Sequence, residues 1–221
     1  MKESTKKHSI ISPKYFIYDF VKITAGIPGL IWFRPKKLYV SEKAKEKVRG
    51  GALMMANHSG FFDPVYLMLG FWYRRHHYVA WKILFEGKFQ HFLFTSFLCI
   101  PIDKEHFGIG TFREITDHLK DDELVVIFPE GKVNVTGKND LQSFKSGMIL
   151  MAARSGKPIV PVYIKKRAHW YSRSVLAVGE PLDVRSRYSA MPNLTEMDAI
   201  TNDLFEQEAL LKKLAEGDLS K

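Results

Sequence analysis

An imidazole and a carboxylate five residues apart, His58 and Asp63, stand where the apolar run Met54-Met55-Ala56 gives way to Asn57-His58-Ser59-Gly60-Phe61-Phe62-Asp63-Pro64. The apolar run suits a buried strand ending in a loop. Asp63-Pro64 suits the start of a helix, with Asp at the cap and Pro at the first helical position. A loop folding back between them lets the carboxylate accept from one imidazole nitrogen. That fixes the tautomer and leaves the other nitrogen to take a proton. The same residues equally suit a helix cap and a hydrogen-bonded structural histidine, with no chemistry at all.

Two further apolar runs end in polar groups. Ile100-Pro101-Ile102-Asp103-Lys104 closes on a carboxylate and an ammonium, and Ile127-Phe128-Pro129-Glu130-Gly131-Lys132 on Pro, Glu, Gly and Lys. Lys104 and Lys132 offer point charges for a phosphate, Gly131 lets backbone N–H groups approach it, and Glu130 can accept from hydroxyls. Each is an ordinary surface turn when taken singly. Three polar strand ends in one sheet point instead to a shared site.

The elements needed to position them are legible as alternating short apolar runs and longer mixed segments. Strands are expected near Ala52–Ala56, Tyr78–Lys82, Leu98–Ile102, Leu124–Phe128, Ile159–Ile164 and Val175–Val178. Helices are expected at Pro64–Arg74, Leu84–Phe94, Gly110–Leu119 and Phe144–Ser155, the last closed by Gly156-Lys157-Pro158. A final helix opens at Leu194, with Thr195 capping and Asp198 completing a capping box. Such alternation implies an α/β sheet flanked by helices, with working residues on loops at strand ends. No repeat or low-complexity tract divides the chain.

At 221 residues the chain suits one domain with a real core. One cysteine, Cys99, in an apolar run, leaves no disulfide framework and no cysteine-based metal site, and suits a buried small residue. The net charge of +9 is concentrated: residues 1–49 carry 12 Lys/Arg against 4 Asp/Glu, and the remainder only 21 against 20. A basic leader meeting an anionic surface follows, rather than a basic groove through the body. Ten of the leader's 12 basic residues are Lys, interleaved with Phe, Tyr and Ile, which suits a membrane interface better than nucleic acid. Lys14, Asp19 and Lys22 interrupt one apolar stretch, and Gly26, Pro28 and Gly29 the next, so neither reads as a spanning helix. The alternative is a helix hairpin packed on the domain with its charges in water. Lys165 to Arg173 reads as a surface loop or a second lipid contact.

The blocks Asn57-His58-Ser59-Gly60-Phe61-Phe62-Asp63, Ile102-Asp103-Lys104, Phe128-Pro129-Glu130-Gly131 and Ile159-Val160-Pro161-Val162 resemble, in order and spacing, those of the glycerolipid acyltransferases that include 1-acylglycerol-3-phosphate acyltransferase. The resemblance implies a mixed, largely parallel sheet flanked by helices. Residues 1–40 would be a two-helix membrane-docking segment and residues 41–221 the α/β acyltransferase domain. It implies acyl transfer from a thioester, acyl-CoA or acyl-carrier protein, to a lysophospholipid hydroxyl at the cytoplasmic face of a membrane. His58 would be the general base, oriented by Asp63; Lys104, Glu130, Gly131 and Lys132 would hold the acceptor. Backbone donors near Ser59 and Gly60 would stabilise the oxyanion. No cofactor and no metal is implied. Two departures bear on the acceptor: Lys104 stands where the family has Arg, and Lys132-Val133 where it has Thr-Arg, so two bidentate guanidiniums are replaced by point charges. 1-Acylglycerol-3-phosphate, giving phosphatidic acid, is the first expectation; another lysolipid, or a lipid carrier without catalysis, are the alternatives.

Overall fold

The computed structural model describes residues 15–103, 108–129, 141–189 and 191–217. Seven strands form one sheet: β1 (Lys36–Tyr39), β2 (Ala52–Ala56), β3 (His76–Trp81), β4 (Ile100–Ile102), β5 (Leu124–Ile127), β6 (Ile159–Lys165) and β7 (Val175–Val178). Their spatial order is β1-β7-β6-β2-β5-β3-β4. Neighbours are parallel throughout, except that β6 and β7 run antiparallel. Strands β2 to β6 therefore all end at one edge, where a loop after one strand can meet a loop after another.

The helices are α1 (Phe16–Thr24), α2 (Gly26–Phe33), α3 (Asp63–Gly70), α4 (Lys88–Ser96), α5 (Ile109–Lys120), α6 (Leu141–Ser155), α7 (Val184–Arg187) and α8 (Leu194–Glu216). Both faces of the central strands are covered, and period-two alternation sorts their side chains. Leu53 and Met55 of β2 join Val125, Ile127 and Ile159 against α5, α6 and α8. Ala52, Met54 and Ala56 join Val126, Val160 and Val162 on the other face, against Tyr66 and Leu67 of α3. With every residue of β2 buried, the loop that follows it is mounted on the stiffest part of the molecule.

Several local expectations are corrected. β1 was not anticipated because Lys36-Lys37-Leu38-Tyr39 has the charged, half-buried composition of an edge strand. β4 begins at Ile100 because Leu98 lies in the left-handed region at φ 59°, turning the chain before the strand starts. The capping box of α8 is formed by Asn193 and Glu196, upstream of Thr195 and Asp198, with Asn193 Oδ1 accepting from Glu196 N–H at 2.9 Å. Asp63 is the first helical residue and not the cap, which is Phe62. Cys99 is partly rather than fully buried.

Helices α1 and α2 form a pair bent by 42°, and no single described helix is long and apolar enough to cross a bilayer. Tyr18, Asp19 and Lys22 of α1 make their polar contacts with the body of the protein. Asp19 takes Arg75 in a two-point pair at 2.9 and 2.7 Å. The buried Tyr18 hydroxyl accepts from His76 N–H at 3.2 Å, and Lys22 Nζ donates to the Arg74 carbonyl at 2.8 Å. Gly26 lies flat against the Trp72 ring, where any side chain would collide. Outward stand Phe16, Phe20 and Ile23 of α1 and Ile27, Ile31 and Trp32 of α2. This is the reverse of the pattern a helix on a soluble domain shows.

Candidate active site

The loop after β2 folds back onto the start of α3, and one carboxylate oxygen organises the turn. Asp63 Oδ2 lies 2.9 Å from His58 Nδ1 and accepts from the N–H of Ser59 at 2.6 Å and of Gly60 at 2.8 Å. Asp63 is fully buried, whereas the His58 side chain is 21% exposed. Three donors converge on this one buried oxygen, and because a carboxylate oxygen only accepts, Nδ1 is the protonated imidazole nitrogen. His58 Nε2 is left with no hydrogen-bond partner among the described residues. Such an arrangement can hold an imidazole in the orientation a base requires.

Ser59 and Gly60 are thereby removed from the expected oxyanion role. Their N–H groups point inward to Asp63, so they organise the loop and do not face a substrate. The helix-cap alternative for Asp63 fails as well, since its carboxylate is turned toward the preceding loop.

Two residues beyond the expected set hold the imidazole in place. Asn57 clamps the strand end to β6: its Oδ1 accepts from Ile164 N–H at 2.7 Å and its Nδ2 donates to the Ile164 carbonyl at 3.1 Å. The amide thus continues the β2–β6 ladder one step past Ala56. Phe128, at the end of the neighbouring strand β5, stacks on the His58 ring with centroids 4.4 Å apart and planes inclined by 25°. Asn at a strand end and an aromatic at the end of the adjacent strand were the available signals. Their pairing is visible only once the strand order is known.

Asp103, after β4, forms an ion pair with Lys82, which follows β3, so this carboxylate and ammonium occupy the same sheet edge as His58. Lys104, Glu130, Gly131 and Lys132 lie outside the described residues. Among the described residues, aromatic side chains surround His58. Phe61, in the same loop, is 85% exposed, and Phe62 packs on Phe33 at the end of α2. Trp32 stacks on Trp170 from the loop after β6, and the Arg167 guanidinium covers the rings of Trp32 and Phe33 at 5.4 and 4.8 Å. The end of α2 and the loop from Lys165 to Arg173, expected as a surface loop or a second lipid contact, therefore form one aromatic and basic cluster.

Comparison with known proteins identifies the family. A family model described as Acyltransferase matches residues 37–165, from β1 through β6. The 1-acyl-sn-glycerol-3-phosphate acyltransferase of Bacillus subtilis (strain 168) is 27% identical over 159 residues, covering 70% of this chain and 77% of its own. The crystal structure of the 1-acyl-sn-glycerophosphate (LPA) acyltransferase PlsC from Thermotoga maritima superposes with a TM-score of 0.59 at 20% identity, covering 91% of this chain and 80% of that one, a likeness of fold. A family match over more than half of the chain, on a sheet whose working edge carries the paired His58 and Asp63, places this protein in the acyltransferase family, as an O-acyltransferase.

Proposed function

We propose that this protein moves a fatty acyl group from a thioester to the free hydroxyl of a lysophospholipid, with His58 as general base and Asp63 as the residue that orients it. The observation that carries this reading is the buried Asp63 carboxylate on Nδ1 of a partly exposed His58, with the exposed Phe61 and Phe62 in the same loop. Nε2 takes the proton of the acceptor hydroxyl as its oxygen attacks the thioester carbonyl. The imidazolium so formed sits against Asp63, which lowers the cost of charging the ring. The tetrahedral intermediate then collapses with expulsion of the thiolate, and the proton on Nε2 passes to the sulfur. Because a thioester is already activated, no acyl-enzyme and no cofactor is required.

For the acceptor, 1-acylglycerol-3-phosphate giving phosphatidic acid is favoured by the activity in the name of the Bacillus relative. Lys104, Glu130, Gly131 and Lys132 are assigned to its head group on the strength of their block positions. Acyl-CoA and acyl-carrier protein are both compatible donors. We assign the protein, as a peripheral enzyme, to a membrane surface, with the cytoplasmic face as the expected side. The outward apolar residues of α1 and α2, the Trp32–Trp170 stack and the basic N-terminal quarter support that placement. Phe89 and Phe92 on α4 are exposed as well.

The test is to offer purified protein labelled acyl-CoA with a panel of lysolipids in vesicles and identify the product by mass. Phosphatidic acid from 1-acylglycerol-3-phosphate is the expected product, falling at least about a hundredfold in His58→Ala. Activity retained in His58→Ala would remove the base assignment; acylation of a different lysolipid alone would correct the acceptor.

A further inference from the structure

At the opposite edge of the sheet, where β3 and β5 begin, a second cluster of titratable groups takes no part in the chemistry above. His77 is the second residue of β3, and His118 lies in the last turn of α5. Glu123 immediately precedes β5. The α5–β5 turn is tight: Asp122 adopts φ 64° and Glu123 N–H donates to the His118 carbonyl at 3.1 Å. That turn sets the His118 and Glu123 side chains next to each other. The parallel register of β3 against β5 brings His77 alongside.

Glu123 Oε2 is approached by both imidazoles, His118 through Nδ1 and His77 through Nε2, the latter at 3.3 Å. The imidazole rings lie 4.7 Å apart, centroid to centroid. All three ligand atoms fall within 4.8 Å of one another. The other carboxylate oxygen, Oε1, accepts from the Tyr15 hydroxyl at 3.0 Å, which orients the carboxylate from behind.

We infer that His77, His118 and Glu123 form a structural binding site for a divalent d-block cation, zinc foremost, distinct from the acyl-transfer site. Two imidazole nitrogens and one carboxylate oxygen are a donor set suited to Zn²⁺, and too poor in oxygen for Mg²⁺ or Ca²⁺. With Zn–N and Zn–O near 2.0–2.1 Å, tetrahedral donors stand roughly 3.3 Å apart. The His77–Glu123 separation of 3.3 Å already meets that spacing. The His118 side chain is 30% exposed against 6% for His77 and 13% for Glu123, so it marks the side from which an ion enters and a water completes the coordination. Bound metal would join β3, α5 and β5 and, through Tyr15, the first turn of the membrane-facing helix pair.

Metal-stripped protein titrated with ZnCl₂ by calorimetry, with Co²⁺ as an absorbance probe, tests this. Expected is one saturable Zn²⁺ per chain, weakened at least tenfold in Glu123→Gln and in His118→Asn and unchanged in His58→Ala. Affinity should fall as pH drops and the imidazoles protonate, and the melting temperature should rise with Zn²⁺ in wild type and not in the variants. Because His118 is the most exposed of the three, its substitution keeps the test valid if Glu123→Gln does not fold. No saturable binding in wild type, or equal binding in the variants that fold, overturns the inference.

Discussion

Asp63→Asn separates the two tasks assigned to the carboxylate, orienting His58 and stabilising its charged form. The amide oxygen can replace Oδ2, which receives all three hydrogen bonds, while the amide NH₂ takes the place of Oδ1, a buried atom without a partner among the described residues. Geometry is therefore retained and the charge is lost. At 2.9 Å, opposite unit charges attract by about 6 kcal/mol at an effective dielectric near 20 and by about 3 kcal/mol at twice that value. At roughly 1.4 kcal/mol per tenfold in rate, the acylation rate should fall by about 10² to 10⁴. Coenzyme A release can be followed with a thiol-reactive dye. The protein adds little background, because its one cysteine, Cys99, has its thiol pushed up to about 12 by burial. The melting temperature should stay close to wild type. A variant that folds normally and keeps its rate within threefold would refute the idea that Asp63 charges the base, even if His58→Ala is inactive.

Three other outcomes follow from the structure. Asn57→Ala removes both bonds to Ile164 and leaves that backbone pair unsatisfied; it should cost about 1–3 kcal/mol in denaturant unfolding and lower kcat more than it raises KM. Replacing Ile31 and Trp32, 73% and 54% exposed, by Glu and Ala should weaken sedimentation with anionic vesicles at least tenfold, with cooperative unfolding retained and only a small drop in melting temperature from the lost Trp170 stack; unaltered vesicle binding would shift the contact to another surface. Lys22 is held down to about 8, chiefly by burial, with Asp19 opposing the shift and Arg75 adding to it. A depressed lysine is charged at a cost below its folded value, so stability relative to Lys22→Met should rise between pH 8 and its ordinary 10.5, by at most about 3 kcal/mol and less after solvent screening. A flat difference across that window would show that Lys22 is not desolvated.

In the helix pair α1–α2 the unusual mixture of charged and apolar residues was legible in the sequence, while its arrangement was not. Charges at Asp19 and Lys22 marked the segment as unfit to span, but only the packed structure reveals that those charges face inward, onto Arg75 and the Arg74 carbonyl. Burying the polar groups in specific pairs leaves the apolar side chains on the outside. The converse holds for Lys36 to Tyr39, whose charges hid an edge strand that needs β7 beside it.

His58 and Asp63 are five residues apart, and their pairing needs only a tight turn, so local spacing was enough to foresee it. The same holds for the alternation of apolar runs that implies the α/β sheet, since strand and helix periods are local properties of the chain. Asn57 on Ile164, Phe128 on His58, and His77 beside Glu123 join residues many positions apart. Those contacts depend on which strands lie side by side, and strand order is set by the packing of the whole sheet, which no local stretch of residues encodes.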